Sequence, residues 1–264
     1  GAVYAAGFST ETIKKTVKEL DQDRSFSRLP DDGPSLLGLS SIYHKLSDLL
    51  GEMTFSELTI PFAATAVSLS SGKEVILRKG KVMKAVMATI AVPGVFPCQE
   101  MGGRVLVDGG VMDPVPVQVA RWMRPDLPVV AVMLHKTPEG WSRKDEPLPL
   151  SIPGPTTIIE YLTKLRPVQA FKIFSRSMEV SSKHLTELSM KLYEPEVIIS
   201  PVVGHIGILQ NIDIDELIHE GMTAAEGTMN LIKAEANWMK KIQRSVKNQI
   251  LPQPNPEIWE NVDK

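Results

Sequence analysis

The stretch Arg104-Val-Leu-Val-Asp-Gly-Gly-Val-Met-Asp-Pro-Val-Pro-Val117 decides how this chain is read. Val105, Leu106 and Val107 predict a short buried strand, which runs straight into Asp108-Gly109-Gly110. Open α/β sheets place their reactive groups at the carboxyl ends of strands. The two glycines give Asp108 a loop without side chains, which can fold tightly and let another backbone approach the carboxylate. Taken alone, a strand-end Asp-Gly-Gly fits a plain turn equally well, so its surroundings have to separate the two.

Downstream, Val117 to Met123 predicts a helix and Val129 to Leu134 a strand, a strand–loop–helix–strand unit of the kind that builds parallel sheets. Residues 136 to 155 read as a proline-rich loop, 156 to 192 as one or two helices broken near Pro167, and Glu196 to Ser200 as a further strand. A long helix is expected from Asp213 to Lys247, and a poorly ordered tail after Pro252.

Upstream, the small residues of Gly1 to Gly7 read as the end of a helix packed closely on a sheet, with Gly7 as its cap. Thr10, Ile13, Val17 and Leu20 mark a second helix. Residues 24 to 51 are a polar, Pro/Gly-rich surface excursion with one helical pattern around Leu36 to Leu50. Alternation at Leu58, Ile60, Phe62, Ala64 and Ala66 predicts a strand over Glu57 to Ser70, which Ser71-Gly72 turns into a second strand, Glu74 to Leu77. Lys81 to Ala91 is apolar nearly all round, as a helix buried on a sheet would be, and Pro93-Gly94 ends it.

With 264 residues, 43% hydrophobic and 23% charged, the composition is that of an ordinary globular domain, expected over residues 1–247 with a tail at 248–264. A net charge of −2 creates no global field for nucleic acid or an anionic membrane, so nucleic acid is not an expected partner and any lipid contact must be local. Cys98 is the single cysteine, which leaves no intramolecular disulfide and no thiolate metal cluster, and suits a cytoplasmic or peripheral membrane setting. No apolar run reaches the ~18 residues of a membrane span, and no histidine pair has the i, i+4 spacing of a helical zinc site. Because Gly1 replaces a starting methionine, we expect the natural N-terminus to lie upstream.

The order of motifs separates turn from site. Phe55-Ser-Glu-Leu-Thr-Ile-Pro61, Ser71-Gly-Lys-Glu-Val75, Ala88-Thr-Ile-Ala-Val-Pro-Gly-Val-Phe-Pro97 and Val105-Leu-Val-Asp-Gly-Gly-Val-Met-Asp-Pro-Val-Pro-Val117 together resemble a bacterial patatin-like phospholipase. Gly1 to Gly7 resembles the helix after that family's G-x-S-x-G nucleophile elbow, and Asp213 to Ala225 its closing segment, so the resemblance covers roughly residues 1 to 230. It implies a three-layer α/β/α sandwich with a mostly parallel central sheet, here lacking its N-terminal strand and elbow. It also implies hydrolysis of a phospholipid or other acyl lipid by a serine–aspartate dyad, without metal or organic cofactor, in peripheral contact with a membrane. Asp108 is then the catalytic base, on a loop shaped by Gly109 and Gly110, with Pro93-Gly94 lining the neighbouring wall. Its reference pKa of about 3.9 makes a free carboxylate a poor base, so burial has to raise it.

No serine here can replace the missing nucleophile, since an elbow needs glycine on both sides. Ser9 or Thr10 reads as a helix cap, Ser40 and Ser41 as surface residues, and Ser70-Ser71 as hairpin turn; the family's acidic residue near Ser68 is absent. This chain alone is therefore expected to be inactive. Two alternatives remain: a non-catalytic lipid-binding or scaffold domain, and part of a conventional α/β-hydrolase in which Asp108 serves His205 or His219. The stripe Ile218, Met222, Ala225, Met229, Ile232, Ala236 and Met239 near Trp238 is expected to pack on the sheet rather than lie on lipid.

Overall fold

The computed structural model describes residues 1–22, 27, 29, 32–134, 166–203, 213–237, 240, 244 and 257–259. The chain divides into two compact units, Gly1–Pro114 with Asn255–Lys264, and Val115–Pro254.

The first unit begins with helix α1, Ala2–Ala5, whose Ala2 and Ala5 are buried. Gly7 closes it at φ 92°, with Gly7 N–H donating to Tyr4 O and Phe8 N–H to Val3 O, the paired bonds of a glycine-terminated helix. Helix α2, Thr10–Gln22, is capped by Ser9, whose Oγ accepts from Thr12 N–H at 3.2 Å. Helix α3, Ser40–Leu50, follows.

Strand β1, Ala64–Ser68, and strand β2, Lys73–Leu77, form the expected hairpin, turned by Gly72 at φ 65°. The strand is shorter than its alternation suggests because Phe55–Glu57 forms a 3-10 turn, fastened by a capping box between Thr54 and Glu57. Helix α4, Val82–Thr89, then leads to strands β3, Gln99–Met101, and β4, Arg104–Asp108, joined through Gly102 and Gly103, both at positive φ. Strand β3 was not anticipated from the sequence.

The sheet order is β3-β4-β1-β2-β7, where β7 is Glu257–Trp259, so part of the expected tail enters the sheet beside β2. The mixed α/β class is as expected. Its pairing differs: β1–β2, β1–β4 and β3–β4 are antiparallel and β2–β7 is parallel, against a mostly parallel expectation. Connection length explains this, because strands joined by a tight turn can only run antiparallel. The crossover through α4 makes β4 parallel to β2, and β1 sits between them. The core joins Ala66 on β1, Val75 and Leu77 on β2 and Leu106 on β4 to Ala85 and Ala88 of α4. Alanine on both surfaces lets the helix come close to the sheet.

The second unit contains helix α5, Val117–Met123; strand β5, Val130–Val132; helix α6, Arg166–Tyr193; strand β6, Val197–Ile199; and helix α7, Ile214–Glu235. Strands β5 and β6 pair in parallel. Pro167 stands in the first turn of α6, where a missing N–H costs nothing, and the preceding part of the expected 156–192 helical stretch lies outside the described residues. Asp213 caps α7, and its Oδ1 accepts from Asp215 and Glu216 N–H. The stripe expected to be packed is only partly so: Met222 is 56% and Met229 40% exposed.

A buried ion pair ties this unit together. Arg121, 6% exposed on α5, donates from Nη1 to Glu196 Oε1 at 2.7 Å and from Nη2 to the carbonyls of Tyr193 and Glu194 at 3.1 Å. Glu196 Oε2 accepts Val129 N–H at 2.8 Å. Burial alone would push the Glu196 carboxyl up, but the Arg121 and Val129 hydrogen bonds outweigh it and hold the group below its ordinary value. That stabilisation is therefore complete above the unfolded pKa and is lost as pH falls through the lower folded value. Arg121→Ala, which strands a buried carboxylate, should cost about 3 kcal/mol in urea melts at pH 7. The difference from wild type should shrink as the melts are repeated towards pH 3.

Candidate functional site

Asp108 ends β4 opposite Ala66 of the central strand, and its backbone N–H donates to Ala91 O at 3.0 Å. The end of the α4 segment thus holds the acid's backbone. Past this segment, Gly94 stands at φ 78° and its carbonyl accepts Leu36 N–H.

Beyond Asp108 the chain turns at once into a 3-10 turn, Gly109–Val111. A Cβ on Gly109 would lie 2.2 Å from Thr65 Oγ1 and 2.8 Å from the Thr65 carbonyl carbon, so the turn rests directly on β1. No side chain fits there. Gly110 N–H donates to Asp108 Oδ1 at 2.7 Å, which turns the carboxylate back over its own loop. Met112 and Asp113 N–H both donate to Gly109 O at 3.0 Å and close the turn.

This geometry sets the acid's chemistry. Burial pushes the Asp108 carboxyl above its ordinary value, and the Gly110 N–H, which steadies the anion, offsets only part of that shift. The result is a fixed, half-buried carboxyl with enhanced basicity. The three residues predicted as the site, Asp108, Gly109 and Gly110, are contiguous and form this one turn.

The serines fall elsewhere. Ser68 is fully buried and its Oγ accepts Ser71 N–H within the hairpin turn. Ser40, expected at the surface, is 7% exposed because it opens α3 with its hydroxyl bonded to that of Ser27. His219 lies on α7 in the other unit, and His205 lies outside the described residues. No helix among the described residues is long and apolar enough to cross a membrane. Sequence reasoning assigned no role to Thr65, Glu74 or Asp113. An acid within the apolar strand Lys73–Leu77 was the available signal for Glu74.

Residues 1–121 match the family model described as patatin-like phospholipase. An uncharacterized NTE family protein of Mycobacterium tuberculosis is 36% identical over 150 residues, covering 56% of this chain and 41% of that protein. Mycobacterium bovis has a counterpart with the same identity and coverage. A second uncharacterized NTE family protein of Mycobacterium tuberculosis is 29% identical over 188 residues, covering 68% of this chain and 30% of the relative. The chain therefore spans less than half the length of these relatives. The turn that holds Asp108 lies inside the segment, residues 1–121, that matches the patatin-like phospholipase family model.

Proposed function

We propose that this chain carries the general-base half of a serine–aspartate acyl-lipid hydrolase, with Asp108 as the base and the serine and oxyanion donors on an upstream segment. The observation that supports this best is the Asp108 carboxyl itself: half-buried, basic for its type, and anchored through Oδ1 to Gly110 N–H at 2.7 Å. Such anchoring commits one oxygen to the loop and leaves Oδ2 to face a nucleophile.

In this reading Asp108 Oδ2 takes the serine proton as Oγ adds to the ester carbonyl. The tetrahedral intermediate collapses, the alkoxide leaves with that proton, and an acyl-serine remains. Water then repeats the sequence, giving a proton to Asp108 as its oxygen attacks the acyl carbon, and the fatty acid departs as the serine recovers its hydrogen. Access to the acyl lipid is a local, peripheral contact with an aggregate surface, since the net charge of −2 supplies no attraction to anionic lipid. Without the serine this chain is inactive.

Hydrolysis of a short-chain p-nitrophenyl ester tests the reading in protein joined to an upstream segment that carries G-x-S-x-G. Asp108→Asn should lower kcat/KM by about 10²–10⁴-fold, while His205→Ala leaves it near wild type. Loss at His205 would favour a Ser-His-Asp triad, and no turnover in the joined protein would favour a non-catalytic lipid-binding domain. Because burial raises Asp108, the acid limb of the wild-type pH profile should lie above the ordinary carboxylate value of about 3.9.

Gly109→Ala offers a second check that does not touch the carboxyl. The added methyl collides with backbone and side chain of Thr65, whereas at Gly110 the nearest contact would be Asp108 Oδ1 at 3.2 Å. Thermal melts should therefore show a loss of roughly 1–3 kcal/mol for Gly109→Ala and a smaller one for Gly110→Ala.

A further inference from the structure

Helix α6, Arg166–Tyr193, has 28 residues and is about 42 Å long at 1.5 Å per residue. Its inward face is marked near one end by Thr186, 1% exposed, and by Ser189, whose Oγ donates to Val115 O at 3.3 Å. Among the described residues of α6 before Thr186, none is buried. A helix so solvated would ordinarily be polar all round. This one instead exposes Ile173 by 69%, Val180 by 44% and Leu188 by 49%, with the exposed ring of Phe174 next to Ile173. Steps of seven and eight keep the three aliphatic residues on one face.

A basic residue follows each of them at the third position: Arg176 after Ile173, Lys183 after Val180 and Lys191 after Leu188. Residues three apart are neighbours on a helix surface, so an apolar row and a cationic row run side by side. Arg176 pairs with Glu179 at 2.8 Å and the half-buried Lys183 with Glu187 at 3.9 Å, pairs within the helix that bind their partners weakly. Over the whole helix five Arg and Lys side chains stand against two glutamates, an excess of positive charge in a chain whose net charge is −2. Helix α7 is the contrast. It also exposes Met222 and Met229, but it carries five acidic residues and a single lysine.

We propose that α6 is an interfacial helix that lies flat on an anionic bilayer, with Ile173, Val180 and Leu188 at the boundary of headgroups and acyl chains and its cationic row on lipid phosphates. An apolar stripe beside Lys and Arg is the pattern by which helices bind such surfaces. No helix among the described residues is long and apolar enough to cross a membrane, so α6 rests on the surface. Charge selects the occupant: an anionic surface attracts the basic row of α6 and repels the acids of α7. Binding to lipid needs no serine and stands apart from the catalysis proposed above; only the use of this contact to reach an acyl-lipid substrate rests on that reading.

Flotation of this chain with phosphatidylcholine vesicles, with and without phosphatidylglycerol, tests the assignment. Binding should require phosphatidylglycerol and should fall when salt rises from about 0.1 M to about 1 M, which shortens the screening length from about 10 Å to about 3 Å. Arg176→Gln combined with Lys191→Gln should weaken it about 10–30-fold, and Ile173→Gln combined with Val180→Gln about 10-fold. Met222→Gln combined with Met229→Gln, on α7, should bind as wild type does. All six side chains are exposed, so each variant should keep the wild-type thermal melt. Binding that ignores phosphatidylglycerol or salt, or that survives the loss of Ile173 and Val180, would overturn the proposal. Absence of binding to either vesicle would overturn it too, and a concentration-dependent dimer in light scattering, abolished by the same α6 variants, would then assign this face to a second copy of the chain.

Discussion

The geometry of the site depends on residue 109 having no Cβ. Gly109 sits where any side chain would run into Thr65 of β1, the strand flanked by both β2 and β4. Contact this close lets the chain reverse within one residue of the strand end. Asp108 is consequently held at both sides, by Ala91 O on its own N–H and by Gly110 N–H on its carboxyl. A carboxylate positioned by backbone alone has few ways to relax, which lets burial raise its basicity without the group turning out into water.

Much of this was legible in the sequence, for identifiable reasons. The hairpin between β1 and β2, the buried helix α4 and the strand leading into Asp108 all have periodicity or composition tied to one structure. Gly7 and Ser9 could be read as caps because their chemistry is local. Strand β3 was not readable, since Gln99-Glu-Met101 is three residues with no apolar alternation, and Gly102-Gly103 was the sole hint of a turn. Partners distant in sequence were equally hidden: nothing in Thr65 announces that Gly109 will rest on it.

Two glutamates show how neighbours decide the state of one residue type. Glu196 is buried beside Arg121 and accepts Val129 N–H, so it stays ionised and ties α5 to the approach to β6. Glu74 is half-buried on β2 with an oxygen that no donor reaches, and burial first, then the Asp113 charge, push it up to about 7. The first arrangement steadies the fold of its unit.

Asp108 and its turn lie within the residues 1–121 that match the patatin-like phospholipase family model, and the central claim is that Asp108 acts directly on a serine. The most direct measurement is a crystal structure of the joined protein after phosphonylation of its nucleophile by an organophosphonate ester. The account predicts a phosphonylated serine whose Oγ lies within hydrogen-bond reach of Asp108 Oδ2, about 2.6–3.2 Å, while Oδ1 remains on Gly110 N–H. A histidine in the place of Asp108, or an Asp108 carboxyl turned away from the adduct, would contradict it.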